Sequence, residues 1–220
     1  MPPFDWEHFA TQHASAIFGL VGAFGGGVLS FVATYMMKKR EFNLQMSGKL
    51  IERRIKAHEQ VIALAIEMRV MVMLGGVDVD GEVRRAPQVL LSKEEFENWF
   101  TRFTQLSLEG TTWLTPTAKR ELNLVQDYLV TLHQHLVAVP SESYSVVGEH
   151  VRADFIDLSS SLEKKAYEFF ETGIRKLRLD SLNHWHKYKR PVTERRLLAT
   201  ALLRNRDQIE MAVHLDASAR

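Results

Sequence analysis

The pattern of apolar and polar residues begins with a long stretch that carries no charge. Residues 14–37 contain no Asp, Glu, Lys or Arg, and Lys38, Lys39 and Arg40 follow at once. A helix rises about 1.5 Å per residue, so this stretch would extend about 36 Å. The hydrocarbon core of a bilayer is about 30 Å thick. The pattern therefore predicts a transmembrane helix over residues 14–37.

The charges on either side of this stretch predict its orientation. Residues 1–13 hold Asp5 and Glu7 and neither Lys nor Arg, whereas the basic cluster lies on the C-terminal side. A cleaved signal peptide has positive charge before a shorter apolar region. The positive-inside bias instead predicts a retained anchor in a bacterial inner membrane. Residues 1–13 would form an outside tail, and the remainder of the chain would be cytoplasmic.

Small residues recur every four positions within the apolar stretch, at Gly22, Gly26, Ser30 and Thr34. Rows of small residues allow membrane helices to approach closely, so this stripe favours self-association. Glycines are also frequent in membrane helices for other reasons, which is the simpler interpretation. If four or more copies assemble, the two hydroxyl-bearing residues would line a narrow pore, because polar groups in a bilayer usually face a bundle interior or water.

A second apolar pattern follows, over residues 38–74. Leu44, Ile55 and Ile66 are eleven residues apart, and three further sets share this spacing. An eleven-residue repeat averages about 3.67 residues per turn and predicts a long amphipathic helix. This helix would be either a core helix of the cytoplasmic domain or a stalk that pairs between subunits. Its most probable break is at Ser47–Gly48, because glycine is unfavourable in a helix interior.

Residues 75–91 are expected to form a loop or a short hairpin, after Gly75 and Gly76 end the amphipathic helix. Ser92 begins a capping box and Thr115 precedes a proline, so each predicts a helix start. A third helix is expected over about 147–179 and a last one from Thr193. Residues 92–214 would then be a helical bundle domain, followed by a C-terminal tail over 215–220. The predicted fold class is all-α.

Composition narrows the classes of function. The chain has 28 basic and 27 acidic residues, so its bulk charge does not indicate a nucleic-acid binder. It has no cysteine, which excludes disulfides, thiolate nucleophiles and cysteine-based metal sites. His133 and His135 are two positions apart on a predicted helix and would point to different sides. No known catalytic or phosphate-loop motif occurs. We therefore expect no enzyme activity, no metal and no cofactor.

The strongest candidate binding segment lies between the last two predicted helices. Residues 171–210 hold ten Lys or Arg and five Asp or Glu, a local charge of +5. Basic groups interleaved with aromatic rings suit a nucleotide or oligonucleotide, since the charge binds phosphate and the rings stack on bases. The same residues could instead contact anionic lipid headgroups or form a solvated turn. The candidate residues are His184, Trp185, His186, Lys187, Tyr188, Lys189, Arg190 and Arg195.

The segment KLIERRIKAHEQVIAL, residues 49–64, lies just inside the membrane beyond the predicted span. With that layout it resembles small bacterial single-pass membrane proteins that carry a helical cytoplasmic domain. Hailong-type antiphage effectors, which assemble and perturb the membrane in response to a nucleotide signal, are among these. The resemblance covers the N-terminal part of the chain and assigns no functional residue.

Two main hypotheses follow for the function. The first is a self-associating membrane effector, including an oligomeric ion channel gated by a phosphate-bearing ligand or a partner. The second is a membrane-tethered adaptor that recruits a soluble partner and opens no pore. A membrane-anchored enzyme has the least support. The expected partners are the lipid bilayer, further copies of the chain, anionic headgroups and a nucleotide.

Overall fold

The computed structural model describes residues 6–77, 81–173 and 190–219. The chain divides into two units, Met1–Ile51 and Glu52–Arg220. The fold is mostly helical with one short hairpin. The predicted all-α character is confirmed in that the chain is mostly helical, and two short strands pair between the first two helices.

Helix α1 runs from Trp6 to Met68 and contains the predicted span. It is long and apolar enough to cross a membrane, and none of its most apolar stretch is buried. The sequence left open whether the helix is interrupted at Ser47–Gly48, and α1 continues through both residues. A single glycine costs a helix only about 1 kcal/mol, and the many hydrogen bonds on either side outweigh that cost.

The C-terminal part of α1 contributes one face to the core of the second unit. The buried residues follow a helical period and include the fully buried His58. The eleven-residue repeat predicted this face incompletely, because Ile66 is 48% exposed and Met73 is 73% exposed. The buried apolar residues of this part are Ala57, Val61, Ile62, Leu64, Ala65 and Met68.

A β-hairpin follows α1, with strand β1 at Met71–Val77 and strand β2 at Val83–Pro87. The strands pair antiparallel, with Met73 opposite Arg85 and a bulge between Met73 and Val77. Helix α1 was predicted to continue to residue 74, and this is wrong. A short run of apolar residues fits a strand as well as a helix. Gly75 and Gly76, with φ of 78° and 73°, form the bulge that glycine favours and do not end the helix.

Helix α2 covers Lys93–Gly110 and helix α3 covers Pro116–Leu136. Both predicted starts are confirmed. The Ser92 hydroxyl accepts the backbone N–H of Glu95, and the Thr115 hydroxyl accepts that of Ala118. The aromatic stripe of α2 faces inward, with Phe96, Trp99 and Phe103 buried.

The predicted third helix is divided in two. Helix α4 covers Tyr144–His150 and helix α5 covers Arg152–Glu168, after which a π-helical turn spans Phe169–Gly173. No Gly or Pro marks the boundary at Val151, and Gly148 lies earlier, where α4 packs tightly on β2. A Cβ atom at Gly148 would lie 3.0 Å from the Cβ of Ala86. Tyr167 of α5 is 48% exposed.

The predicted last helix is three helices: α6 at Arg190–Leu198, α7 at Ala201–Arg204 and α8 at Arg206–Ala219. Residues 215–220 were expected to be a tail, but α8 extends through most of them and the Ser143 hydroxyl donates to Asp216 (2.8 Å). Helix α3 packs along α5, and α4 packs against β2 and α8. The largest fully buried side chains are Tyr128, Tyr144, Phe96, Phe103 and Phe155.

Candidate functional site

The stripe of small residues lies along one side of α1, within the first unit. Gly22, Gly26, Ser30 and Thr34 are all exposed. Apart from the neighbouring backbone of α1 itself, no atom of the described residues would lie within 4 Å of a Cβ added at Gly22 or Gly26. Nothing that packs within this unit therefore requires glycine at these positions.

The predicted binding segment falls almost entirely outside the described residues. His184, Trp185, His186, Lys187, Tyr188 and Lys189 lie there, and Arg190 is the first residue of α6. Arg195 is exposed, and its Nε donates to the carbonyl of Pro191 (3.2 Å). The role assigned to these residues therefore stays a prediction.

Arg196, the neighbour of Arg195, has a structural role that the sequence analysis did not assign. Its guanidinium donates to both carboxylate oxygens of Glu121 (2.6 and 2.8 Å), and so attaches α6 to α3. Burial raises the pKa of Glu121, but the hydrogen bonds from Arg196 and Ser161 and the nearby positive charges leave it below its usual value. The bond to Glu121 raises the pKa of Arg196. This pair anchors the helix that follows the predicted binding segment.

A second feature missed from the sequence is a buried cluster around His58. The His58 ring stacks on Phe169 with 4.1 Å between ring centroids. The Arg54 guanidinium also lies over the Phe169 ring, 5.2 Å from its centroid. The Phe170 ring meets His58 edge-on. These contacts join α1 to the π-helical turn at the end of α5. We call His58, Arg54, Phe169, Phe170 and Thr115 the His58 cluster.

Hydrogen bonds fix the tautomer of His58. Its Nε2 accepts the backbone N–H of Thr115 (3.2 Å), so Nδ1 carries the proton and donates to the carbonyl of Arg54 (2.7 Å). Burial lowers the pKa of His58 to about 4; the bond to the Arg54 carbonyl opposes this, and the Arg54 charge adds to it. The ring is neutral at physiological pH and joins α1 to the start of α3. The sequence signal for the burial of His58 is its position four residues before the apolar Ile62, which puts both residues on one face of the helix.

Asp154 is a third buried polar centre, in α5. Its carboxylate accepts the backbone N–H groups of Ala201 (2.7 Å) and Leu202 (2.9 Å) and the hydroxyl of Tyr128 (3.2 Å). Burial raises the pKa of Asp154, and these three hydrogen bonds oppose the rise. Each donor is satisfied inside the core, so Asp154 holds α7 against α3 and α5.

Other polar contacts hold elements of the second unit together. Arg84 donates to both oxygens of Glu149 (2.7 and 3.1 Å), and the Trp99 Nε1 donates to Glu67 (3.0 Å). His133 stacks on Phe100, whereas His135 lies near Arg206, so the two histidines do face different neighbours. Among the described residues, no group of three or more His, Asp or Glu side chains is placed to hold a metal ion.

Comparison with known proteins assigns no family to this arrangement. No protein-family model matches the sequence, and no curated protein or solved structure was found to be similar to it. The function is therefore argued from the chain's own residues.

Proposed function

We propose that the protein is a self-associating single-pass membrane effector whose cytoplasmic helical domain receives the activating signal. The observation that carries the proposal is the 14–37 segment of α1, which is uncharged, has none of its described side chains buried, and bears the stripe of Gly22, Gly26, Ser30 and Thr34. An apolar helix without partners in its own chain needs lipid or other copies around it.

The energetics of insertion support the membrane assignment. The segment holds nine Ile, Leu, Val or Phe residues, each of which favours insertion, and together they contribute about −3 to −5 kcal/mol. No charged residue opposes this within the segment. Lys38, Lys39 and Arg40 on its C-terminal side support an outside N-terminus and a cytoplasmic second unit.

The stripe supports association of the inserted helices. Lipid tails are as apolar as the helix surface, so helices associate through close packing and interhelical hydrogen bonds. Gly22 and Gly26 permit the close approach, and the hydroxyls of Ser30 and Thr34 supply polar groups. In an assembly of four or more copies these hydroxyls would face the central axis and line a pore.

The signal that the second unit receives is proposed to be a phosphate-bearing ligand, bound by the basic and aromatic segment 184–190 with Arg195. The local charge of +5 supports an anionic ligand. The pairing of Glu121 with Arg196 supports transmission, because it ties the helix after this segment to α3. A change in the position of α6 would therefore disturb a buried carboxylate.

The test measures oligomeric state and ion flux with the full chain in lipid vesicles. Gly26→Leu places a bulky side chain on the stripe, and Gly25→Leu places the same side chain about 100° away around the helix. We expect assemblies of four or more copies and measurable flux for the parent and for Gly25→Leu, and loss of both for Gly26→Leu. A monomer or dimer with electrically silent vesicles would overturn the effector proposal.

The second candidate function is a membrane-tethered adaptor. It is favoured by an exposed apolar pair one turn apart on α8, Met211 (64% exposed) and Leu215 (65% exposed). Such a pair suits a helical partner that docks on α8. A monomeric parent whose partner binding is lost in Met211→Ser with Leu215→Ser would support the adaptor.

A further inference from the structure

The exposed part of α1 beyond the predicted span carries apolar residues that nothing in the first unit covers. Leu44 is 66% exposed, and Gly48 has no atom within 4 Å of an added Cβ. Helix α1 is continuous from the span through these residues. The side of the helix on which they lie can therefore be compared directly with the stripe in the span.

The two surfaces lie on the same side of the helix. Eleven residues make about three turns, so residues eleven apart lie one above the other. Gly22 and Leu44 are separated by two such steps through Ala33. Gly26 and Gly48 are separated by two such steps through Met37. The stripe of the span and the face that bears the exposed Leu44 and Gly48 and the half-buried Ile51 thus form one continuous surface.

We propose that residues 40–51 of α1 form a parallel stalk in which Leu44, Gly48 and Ile51 pack against the same residues of further copies of this chain. The proposal rests on the self-association proposed above. Copies inserted with the same orientation are necessarily parallel, and a stripe that brings the spans together brings the following residues of each continuous helix together as well. Gly48 then permits close approach, which explains a glycine that its own chain leaves in open space.

Charge complementarity supports a second copy as the occupant. Arg40 and Glu41 are both exposed; measured around the helix from Leu44, Arg40 lies about 40° to one side, in line with Ile51, and Glu41 lies about 60° to the other side. In a parallel assembly, the side of one helix that bears Arg40 faces the side of its neighbour that bears Glu41. Arg40 of one copy therefore meets Glu41 of the next. Phe42 and Met46 lie two residues from Leu44, about 200° around the helix, and would face away from the contact.

Disulfide crosslinking tests the stalk, because the chain has no cysteine of its own. Single cysteines are introduced into the full chain in membranes at Leu44, Gly48 and Ile51, with Phe42 and Met46 as matched apolar controls, and oxidised dimers are measured on non-reducing gels. Cα atoms more than about 7 Å apart cannot be bridged, so we expect at least about fivefold more dimer at the three stalk positions than at the controls. Equal crosslinking at all five positions, or more at the controls, would overturn the stalk.

A cysteine at Ser30 separates this result from the fate of the proposed function. Efficient dimer formation by Ser30→Cys without a preference for Leu44, Gly48 and Ile51 rejects the stalk and leaves self-association in place. Failure of Ser30→Cys and of all stalk positions rejects both. Stalk crosslinking without crosslinking at Ser30 supports the stalk and rejects the stripe as the contact within the span.

Exchange of charges gives an independent readout of the flanking contact. We expect Arg40→Glu to reduce the oligomeric fraction and the double variant Arg40→Glu with Glu41→Arg to restore it, since the exchange recreates the opposite-charge pair between neighbours. Equal losses in the single and double variants would show that the two residues do not face each other.

Discussion

The two parts of α1 bear similar apolar patterns in different surroundings. In residues 14–51 the side chains are almost all exposed, whereas Ala57, Leu64 and Met68 are buried in the core of the second unit. The buried part carries polar residues with defined partners, among them His58 and Glu67. The exposed part carries glycines and large apolar residues without partners. Periodicity thus predicts which face of a helix is apolar, but it does not say what covers that face.

This difference has an energetic consequence that can be tested. Stability of the second unit depends in part on buried, hydrogen-bonded polar groups such as Asp154 and His58, and changes there should destabilise the domain. Changes in residues 14–51 should alter membrane insertion and assembly and leave the domain folded. The free energy of unfolding is measured by urea unfolding of the full chain in detergent. Tryptophan fluorescence monitors the transition, with Trp99 as a buried reporter.

The largest effect is expected for Asp154→Ala. The substitution leaves the N–H groups of Ala201 and Leu202 and the hydroxyl of Tyr128 buried without an acceptor. An unsatisfied buried donor costs about 1–3 kcal/mol, so the free energy of unfolding should fall by about 3–6 kcal/mol. Asp157→Ala, on an exposed site of the same helix, should change it by less than about 0.5 kcal/mol. Equal effects of the two substitutions would contradict the role of Asp154.

The next effect is a loss of stability in acid that depends on His58. Its pKa is lowered from 6.5 to about 4 in the folded protein, so between these values the unfolded chain binds the proton more readily. The free energy of unfolding is therefore highest above pH 6.5 and falls by about 2–3 kcal/mol as the pH drops to 4. His58→Gln should flatten this part of the pH profile, whereas the exposed His214→Gln should leave it unchanged. An unaltered slope in His58→Gln would assign the acid sensitivity elsewhere.

Glu121→Gln should have a smaller effect. The substitution removes the charge that pairs with Arg196, whose side chain is 44% exposed, so water compensates part of the loss. We expect a decrease of about 1–2 kcal/mol in the free energy of unfolding. Because the folded protein holds the pKa of Glu121 below 4.5, the contribution of the pair is present above pH 4.5 and is lost as the pH falls through the folded value.

The control for this pair is the exposed pair of Arg206 and Glu210 on α8. Glu210→Gln should change the free energy of unfolding by less than about 0.5 kcal/mol. A larger loss for Glu210→Gln than for Glu121→Gln would show that the ion pair between α3 and α6 does not stabilise the domain.

The smallest of these effects is expected for Gly148→Ala. The added Cβ would lie 3.0 Å from Ala86 and 3.1 Å from Leu90, closer than ordinary contact. Overpacking of this kind costs about 1–3 kcal/mol, from which the better helix propensity of alanine subtracts about 1 kcal/mol. Gly48→Ala, where the space is open, should not destabilise the domain. A Gly148→Ala variant whose free energy of unfolding equals that of the parent would show that α4 can move away from the hairpin without loss of stability.

The sequence predicted the helix starts best where they depend only on neighbouring residues. Ser92 and Thr115 begin helices because each side chain caps its own backbone, and that chemistry is readable from the sequence. The end of α1 at Met68 could not be read from the sequence, because the apolar residues that follow fit the period of a strand as well as that of a helix. The boundary between α6 and α7 depends on Asp154, which is far from Thr200 in sequence and becomes its neighbour only in the folded domain.

The candidate sites show the same limit. The stripe of Gly22 and Gly26 rests on spacing alone and stays a prediction, because neither glycine is required by a close contact among the described residues. His58 was missed because a histidine in an apolar face has no distinctive motif, and its partners Thr115 and Phe169 come from distant parts of the chain. Segment 184–189 lies outside the described residues, so its predicted role rests on charge and composition.

The hydrogen bonds of Asp154 determine where the domain can be shortened. A truncation before Ala201 would remove two of the three donors to this carboxylate and also the buried Ile209 and Val213 of α8. A charged group would remain in the core with only Tyr128 to solvate it, and the shortened chain would be a substrate for cellular proteases. A fusion partner or epitope tag placed after α8 preserves these contacts, and the C-terminal helices belong to the smallest folding unit of the domain.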